Sequence, residues 1–154
     1  MKSKFLIIED LQDKMELIVD VLSQQFEFEQ TWTRSIASAY SALPLDWDLI
    51  FLDMIFPSPA GHSYQDSKFS LAGIEILQYI QTRSIRTPVI VVTSHGMFHD
   101  GSDSGMVTFG ELEALLIEGF SQNFRGLVRV DQNSQEWQNE LKKLVGEALG
   151  RQSH

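Results

Sequence analysis

The sequence has 154 residues, 43% of them apolar, enough for one domain with a full core. Its 21 acidic residues against 12 basic ones leave a net charge of −9 with no basic run, which disfavours binding to nucleic acid or to an anionic membrane. No cysteine is present, so disulfides, thiolate metal sites and cysteine nucleophiles are excluded.

Lys4 to Ile8 reads as a first buried strand, with Glu9 and Asp10 at its C-terminal end. The apolar part is too short for a signal peptide or a membrane span, so the expected location is the cytoplasm. Leu11 to Gln25 has helical spacing, with Leu11, Met15, Ile18, Val19 and Leu22 on the predicted inner face. Phe26 to Trp32 alternates apolar and polar residues and reads as a second strand near a sheet edge. Ser35 to Leu43 is a short helix, with Ile36, Ala39, Tyr40 and Leu43 inward. Asp46 to Asp53 is the third strand. Its run Leu49-Ile50-Phe51-Leu52 has no alternation, as a strand buried on both faces requires. Pro57 ends regular structure soon after.

Residues 57–71 read as a long loop, a feature that in a compact domain accompanies function or disorder. Ala72 to Arg83 is a third helix, with Ile74, Leu77 and Ile80 inward, and Pro88 to Thr93 a fourth strand. A second irregular segment is expected over Met97 to Phe109. Then come a helix over Glu111 to Phe120 with Leu112, Leu115 and Leu116 on its core face, and a strand over Gly126 to Val130. A last helix spans Ser134 to Leu149, capped by Ser134 and ended by Gly150. This order predicts a single α/β domain over residues 1–150 with a 151–154 tail, built as an open parallel sheet covered on both faces.

Three of the strands end in polar residues: Glu9-Asp10, Asp53, and Thr93-Ser94. Ligands bind at that edge of open α/β sheets. A carboxylate there can hold a hard cation, act as a base or act as a nucleophile. If the strands are neighbours, three carboxylates converge and repel, so a cation belongs among them, and Mg²⁺ fits oxygen donors best. Thr93 could then hydrogen-bond a phosphoryl group carried by Asp53.

At this point the chain resembles the receiver domain of two-component response regulators. The resemblance rests on Glu9-Asp10, on Asp53 with Pro57 four residues on, on Gly73-Ile74-Glu75-Ile76-Leu77, and on Pro88 to Ser94. It covers nearly the whole chain and implies a flavodoxin-like (βα)5 fold with five parallel strands. It implies Asp53 as phosphoacceptor, served by a histidine kinase or a phosphotransfer protein. Glu9 and Asp10 would hold Mg²⁺ directly or through water, with Asp53 and the Ile55 carbonyl as further ligands, and Thr93 would be the switch hydroxyl. Output would be contact with a downstream protein, and a homodimer is compatible with the pattern.

The departures are specific. The resemblance expects Lys-Pro at the end of the fifth strand, where this chain has Val130-Asp131 and Arg129 one residue early. Strand parity puts Arg129 and Val130 on opposite faces, so Arg129 substitutes only through a register shift. Without that Pro, a cis peptide is not expected there. Leu127 stands at the aromatic switch position, and the two loops are each about a dozen residues longer than the family norm. A phosphorylation-independent pseudo-receiver acting as scaffold or adaptor is therefore the alternative.

Enzyme readings are weak. A haloacid-dehalogenase-type phosphatase needs an acid two residues after its nucleophile, where Ile55 stands, and a flavodoxin-like carrier needs a phosphate loop where Glu9-Asp10 stand. Asp100 to Glu111 matches the spacing of an EF-hand loop, but no incoming helix precedes it and two ligands would be serines. A Ser/Gly-rich surface loop is the expected reading there, not a Ca²⁺ site. His62, His95 and His99 match no metal spacing.

Overall fold

The computed structural model describes residues 2–55, 72–95, 97–99 and 106–152. The predicted loop over 57–71 lies outside these, as do His62 and the Asp100 to Gly105 part of the EF-hand-like stretch.

Strand β1 (Ser3–Ile8) leads to helix α1 (Gln12–Ser23), β2 (Phe28–Thr33), α2 (Ile36–Ala42) and β3 (Leu49–Leu52). Then follow α3 (Ala72–Thr82), β4 (Val89–Thr93), the short β5 (Met97–His99) and β6 (Met106–Thr108), α4 (Phe109–Gly119), β7 (Phe124–Arg129) and α5 (Glu136–Gln152). Five strands form one parallel sheet in the order β2-β1-β3-β4-β7. The order reverses around β1 and β3, so the crevice between their C-terminal ends is the switch point of the sheet. This is the predicted open α/β architecture, with β2 and β7 at its edges.

The central strands are apolar on both faces because both faces are covered. Phe5, Ile7, Phe51, Ile90, Val92 and Val128 pack under α1 and α5. Leu6, Ile8, Ile50, Leu52, Val91 and Leu127 pack under α2, α3 and α4. Successive residues alternate between the two clusters, as the period of a strand requires.

Local chemistry fixes the helix starts. Ser35 caps α2, its side chain accepting the Ser38 N–H while the Ser38 hydroxyl accepts the Ser35 N–H. Thr108 and Glu111 form the same reciprocal box at α4. Asn123, 3% exposed, ties two connections together. Its side-chain amide donates to the carbonyls of Ile85 (2.7 Å) and Thr87 (3.0 Å), and its own carbonyl accepts the Val89 N–H. Asn123→Ala is expected to leave two partly buried carbonyls without this donor and to cost about 2 kcal/mol, read as a lower urea midpoint with an unchanged m-value.

Several expectations are corrected. The stretch after Thr93 contains an antiparallel hairpin, β5 with β6, and α4 begins at Phe109. The carboxylate of Glu111, which the EF-hand spacing would place on a cation, accepts the Thr108 N–H in the capping box. Leu115 is 43% exposed and not core, because Leu112 and Leu116 already fill the face toward the sheet. The last helix runs through Gly150, and Ser134 precedes it by two residues, its hydroxyl accepting the Glu136 N–H. In α1 the buried residues are Lys14, Ile18, Val21 and Leu22, whereas Leu11 is 53% exposed.

Candidate functional site

Register brings Glu9 and Asp53 together. Ile8 pairs with Leu52, and each carboxylate is the next residue of its strand. The Asp53 N–H donates to the Ile8 carbonyl at 3.1 Å, which locks the two strand ends side by side. Glu9 continues the parity of Phe5 and Ile7, and Asp53 that of Phe51, so both side chains belong to the α1–α5 face. Glu9 is 1% and Asp53 5% exposed. With Asp10 they form a cluster in which one oxygen from each carboxylate lies within 4.8 Å of the others.

Backbone donors orient the carboxylates. Asp53 Oδ1 accepts the Met54 N–H at 2.7 Å, and Glu9 Oε2 accepts the Asp10 N–H at 3.0 Å. Trp32, at the end of β2, donates its indole N–H to the Glu9 carbonyl at 2.6 Å. Arg34 stacks over the Trp32 ring and donates to the Asp10 carbonyl. The backbone of the acidic pair is thus held from the neighbouring strand.

The remaining partner comes from α1. Lys14 Nζ lies 2.8 Å from Glu9 Oε1 and 3.3 Å from Asp53 Oδ2. The residue is 6% exposed, and neither its ammonium nor Glu9 Oε1 has a hydrogen-bond partner beyond this ion pair among the described residues. Burial, and then the charge of Asp53, push the Glu9 carboxyl up to about 9, with Lys14 pulling the other way. With Asp10, Glu9 and Asp53 offer a set of hard oxygen donors, and that set fits a divalent cation such as Mg²⁺, whose charge would favour the ionised form of Glu9.

Thr93 closes β4 and is fully buried. Its hydroxyl accepts the His95 N–H at 3.2 Å, and its carbonyl accepts the Val130 N–H at 2.7 Å. Ile55 lies just past Asp53, its N–H 3.5 Å from Oδ1. Arg129 does not supply the missing strand cation. It pairs with Thr93 in register, has the parity of Leu127 opposite to that of Asp53, and is exposed. Val130, on the Asp53 side, is apolar and buried. Among the described residues, the cation at Asp53 is Lys14.

Lys14 and Trp32 are the site residues that the sequence reading missed. The signal for Lys14 was present: positions 14, 18, 21 and 22 have the i, i+4, i+7, i+8 spacing of one helix face, and a lysine stands in it one turn after the acidic pair. Trp32 left no signal beyond its place at a strand end.

No family model matches the chain. The Detocs response regulatory protein DtcB of Enterobacter cloacae (strain JD6301) is 29% identical over 150 residues, which span 94% of this chain and 99% of that one. Among solved structures, the signal receiver domain of a LuxO repressor protein from Vibrio parahaemolyticus superposes with a TM-score of 0.66 at 20% identity, covering 98% of this chain and 92% of that one. A signal receiver domain of a two-component histidine kinase from Clostridium thermocellum gives 0.64 at 20% identity, covering 97% and 98%. That of an HD domain-containing protein from Pseudomonas fluorescens Pf-5 gives 0.67 at 15% identity, covering 99% and 90%.

Proposed function

Because the chain has the receiver-domain fold of response regulators and a response regulator as a sequence relative, we propose that it is a signalling protein that accepts a phosphoryl group on Asp53. The observation that carries this reading is the Glu9–Asp10–Asp53 cluster, with Glu9 and Asp53 buried, at the switch point of the sheet. The donor is a histidine kinase or a phosphotransfer protein. A carboxylate oxygen of Asp53 attacks phosphorus, the O–P bond forms, and the P–N bond of the donor phosphohistidine breaks with its electron pair returning to the imidazole. Glu9, Asp10, Asp53 and the Ile55 carbonyl would hold Mg²⁺, which would supply positive charge against the phosphoryl oxygens.

Thr93 is the switch hydroxyl. Its oxygen accepts the His95 N–H, which leaves its own proton to donate to a phosphoryl oxygen. Output is contact with a downstream protein through the α4–β7–α5 side, where Leu115 and Ile117 are exposed. The protein acts in the cytoplasm and turns over no substrate beyond its own phosphoryl group.

The second reading is a phosphorylation-independent scaffold. The observation that favours it is that Lys14 already pairs with Asp53, so the site is partly neutralised without any ligand.

Incubation with Mg²⁺ and acetyl phosphate, followed by intact mass and peptide mapping at acid pH, separates the two. A single phosphoryl increment on the peptide that carries Asp53 is expected. No adduct, under conditions that label an ordinary receiver, would overturn the first reading in favour of the second.

A further inference from the structure

Asp53 has a cationic partner, but from an unexpected element. The strand that should supply it is followed by buried Val130, and exposed Arg129 at its end has the parity of the opposite face. Lys14 on α1 has its ammonium within 3.3 Å of both Glu9 and Asp53, is buried, and spends its charge on nothing else among the described residues. A lysine is rarely buried at this level unless it is paired, so the position is a built one. Helix geometry keeps it there, since Ile18 and Leu22 anchor the same face one and two turns on.

We propose that Lys14 is the tethered cation of this site: it holds Glu9 and Asp53 together until a divalent ion claims those carboxylates, and then donates to a phosphoryl oxygen on Asp53. The second half rests on the phosphoacceptor reading given above; the first half does not. No proton leaves Lys14 in the transfer. It remains an ammonium and stabilises charge on the phosphoryl oxygens by hydrogen bonding.

One consequence is competition. An ammonium already seated between two of the three metal-binding carboxylates must be displaced for Mg²⁺ to bind. Space for the displaced side chain exists, since a cavity of about 490 Å³ lies between α1 and the end of β7, with Leu11, Lys14, Leu17, Ser94 and Val130 in its wall.

Two measurements on the whole chain test this, using Lys14→Met, Lys14→Arg and Arg129→Met. The first is Mg²⁺ affinity by calorimetry. Lys14→Met is expected to bind Mg²⁺ about tenfold more tightly than the wild type, because the competing charge is gone. Lys14→Arg is expected to stay near the wild type, with the cavity taking up the larger head. Unchanged or weaker affinity in Lys14→Met would overturn the competition.

The second is the rate of labelling by acetyl phosphate at saturating Mg²⁺. Lys14→Met is expected to label about tenfold more slowly, while Arg129→Met labels like the wild type. Equal rates in wild type and Lys14→Met, or a loss in Arg129→Met, would overturn the phosphoryl contact. A wild type that takes no label at all defeats the phosphoacceptor reading, and the calorimetric comparison then still decides whether Lys14 competes for the carboxylates. If Lys14→Met does not fold, Lys14→Gln, which keeps a donor without the charge, must show the same tightening.

Discussion

Asp53→Asn is expected to abolish the phosphoryl adduct, at least about 10³-fold below wild type, without unfolding the protein. The amide is no nucleophile at neutral pH, so the loss is chemical. The fold survives because an amide oxygen in the place of Oδ1 still accepts the Met54 N–H, which donates to Oδ1 at 2.7 Å in the wild type. The Asp53 backbone N–H keeps its bond to the Ile8 carbonyl. Lys14 loses one partner and keeps Glu9 at 2.8 Å, while Glu9 loses the like charge beside it. These changes oppose each other, so stability in urea should move by no more than about 1 kcal/mol. Mg²⁺ affinity should fall, since one of three carboxylates is gone. Intact mass reads the first outcome, and a persistent adduct would place the acceptor on another residue.

Gly73→Ala is expected to be the most destabilising single-methyl change in the described chain. The first turn of α3 lies directly on the strand end that carries Asp53. A Cβ on Gly73 would stand 2.5 Å from Met54 Cε, 2.7 Å from the Asp53 carbonyl oxygen and 2.8 Å from Met54 Cα. The Met54 side chain can turn away, but the other two atoms are backbone. The Gly73 N–H donates to the Met54 carbonyl at 2.9 Å, which pins the helix at this distance. Overpacking of this kind costs about 3 kcal/mol, against a gain of up to about 1 kcal/mol in helix propensity. A net loss of about 2 kcal/mol should therefore appear in urea unfolding, and phosphoryl labelling should fall as the Asp53 backbone shifts. Gly110→Ala on α4 is the control: nothing lies within 4 Å of its Cβ position, and it should be neutral or slightly stabilising.

The central sheet was legible because its strands obey a simple rule. Leu49-Ile50-Phe51-Leu52 is apolar at every position, and a strand covered on both faces needs that. Placing Asp53 at its tip followed from where the run stops. Parity also separated Arg129 from Val130 before any contact was known, and the observed register keeps them apart. The inner face of α1 was not legible in the same way. The stripe through Leu11 and Met15 is the more apolar one, yet Leu11 faces solvent and Lys14 faces the sheet. Its partners, Glu9 and Asp53, lie on two different strands, and periodicity within a helix carries no information about them. The β5–β6 hairpin escaped for another reason: strands of three residues are too short to show alternation. Gly73 was visible as part of a motif, but its need to be glycine appears only against the Met54 backbone.

The two outer strands of the sheet carry charges of opposite sign. β2 shows Glu29 among exposed residues on one edge, and β7 ends in exposed Arg129 on the other. An open edge offers unpaired backbone groups as a template for a foreign strand. Here, a register that set Glu29 opposite Glu29, or Arg129 opposite Arg129, would place like charges against one another and be disfavoured. These two outward-facing residues, which take no part in holding the core, thus weigh against the in-register pairing from which self-templated growth would start.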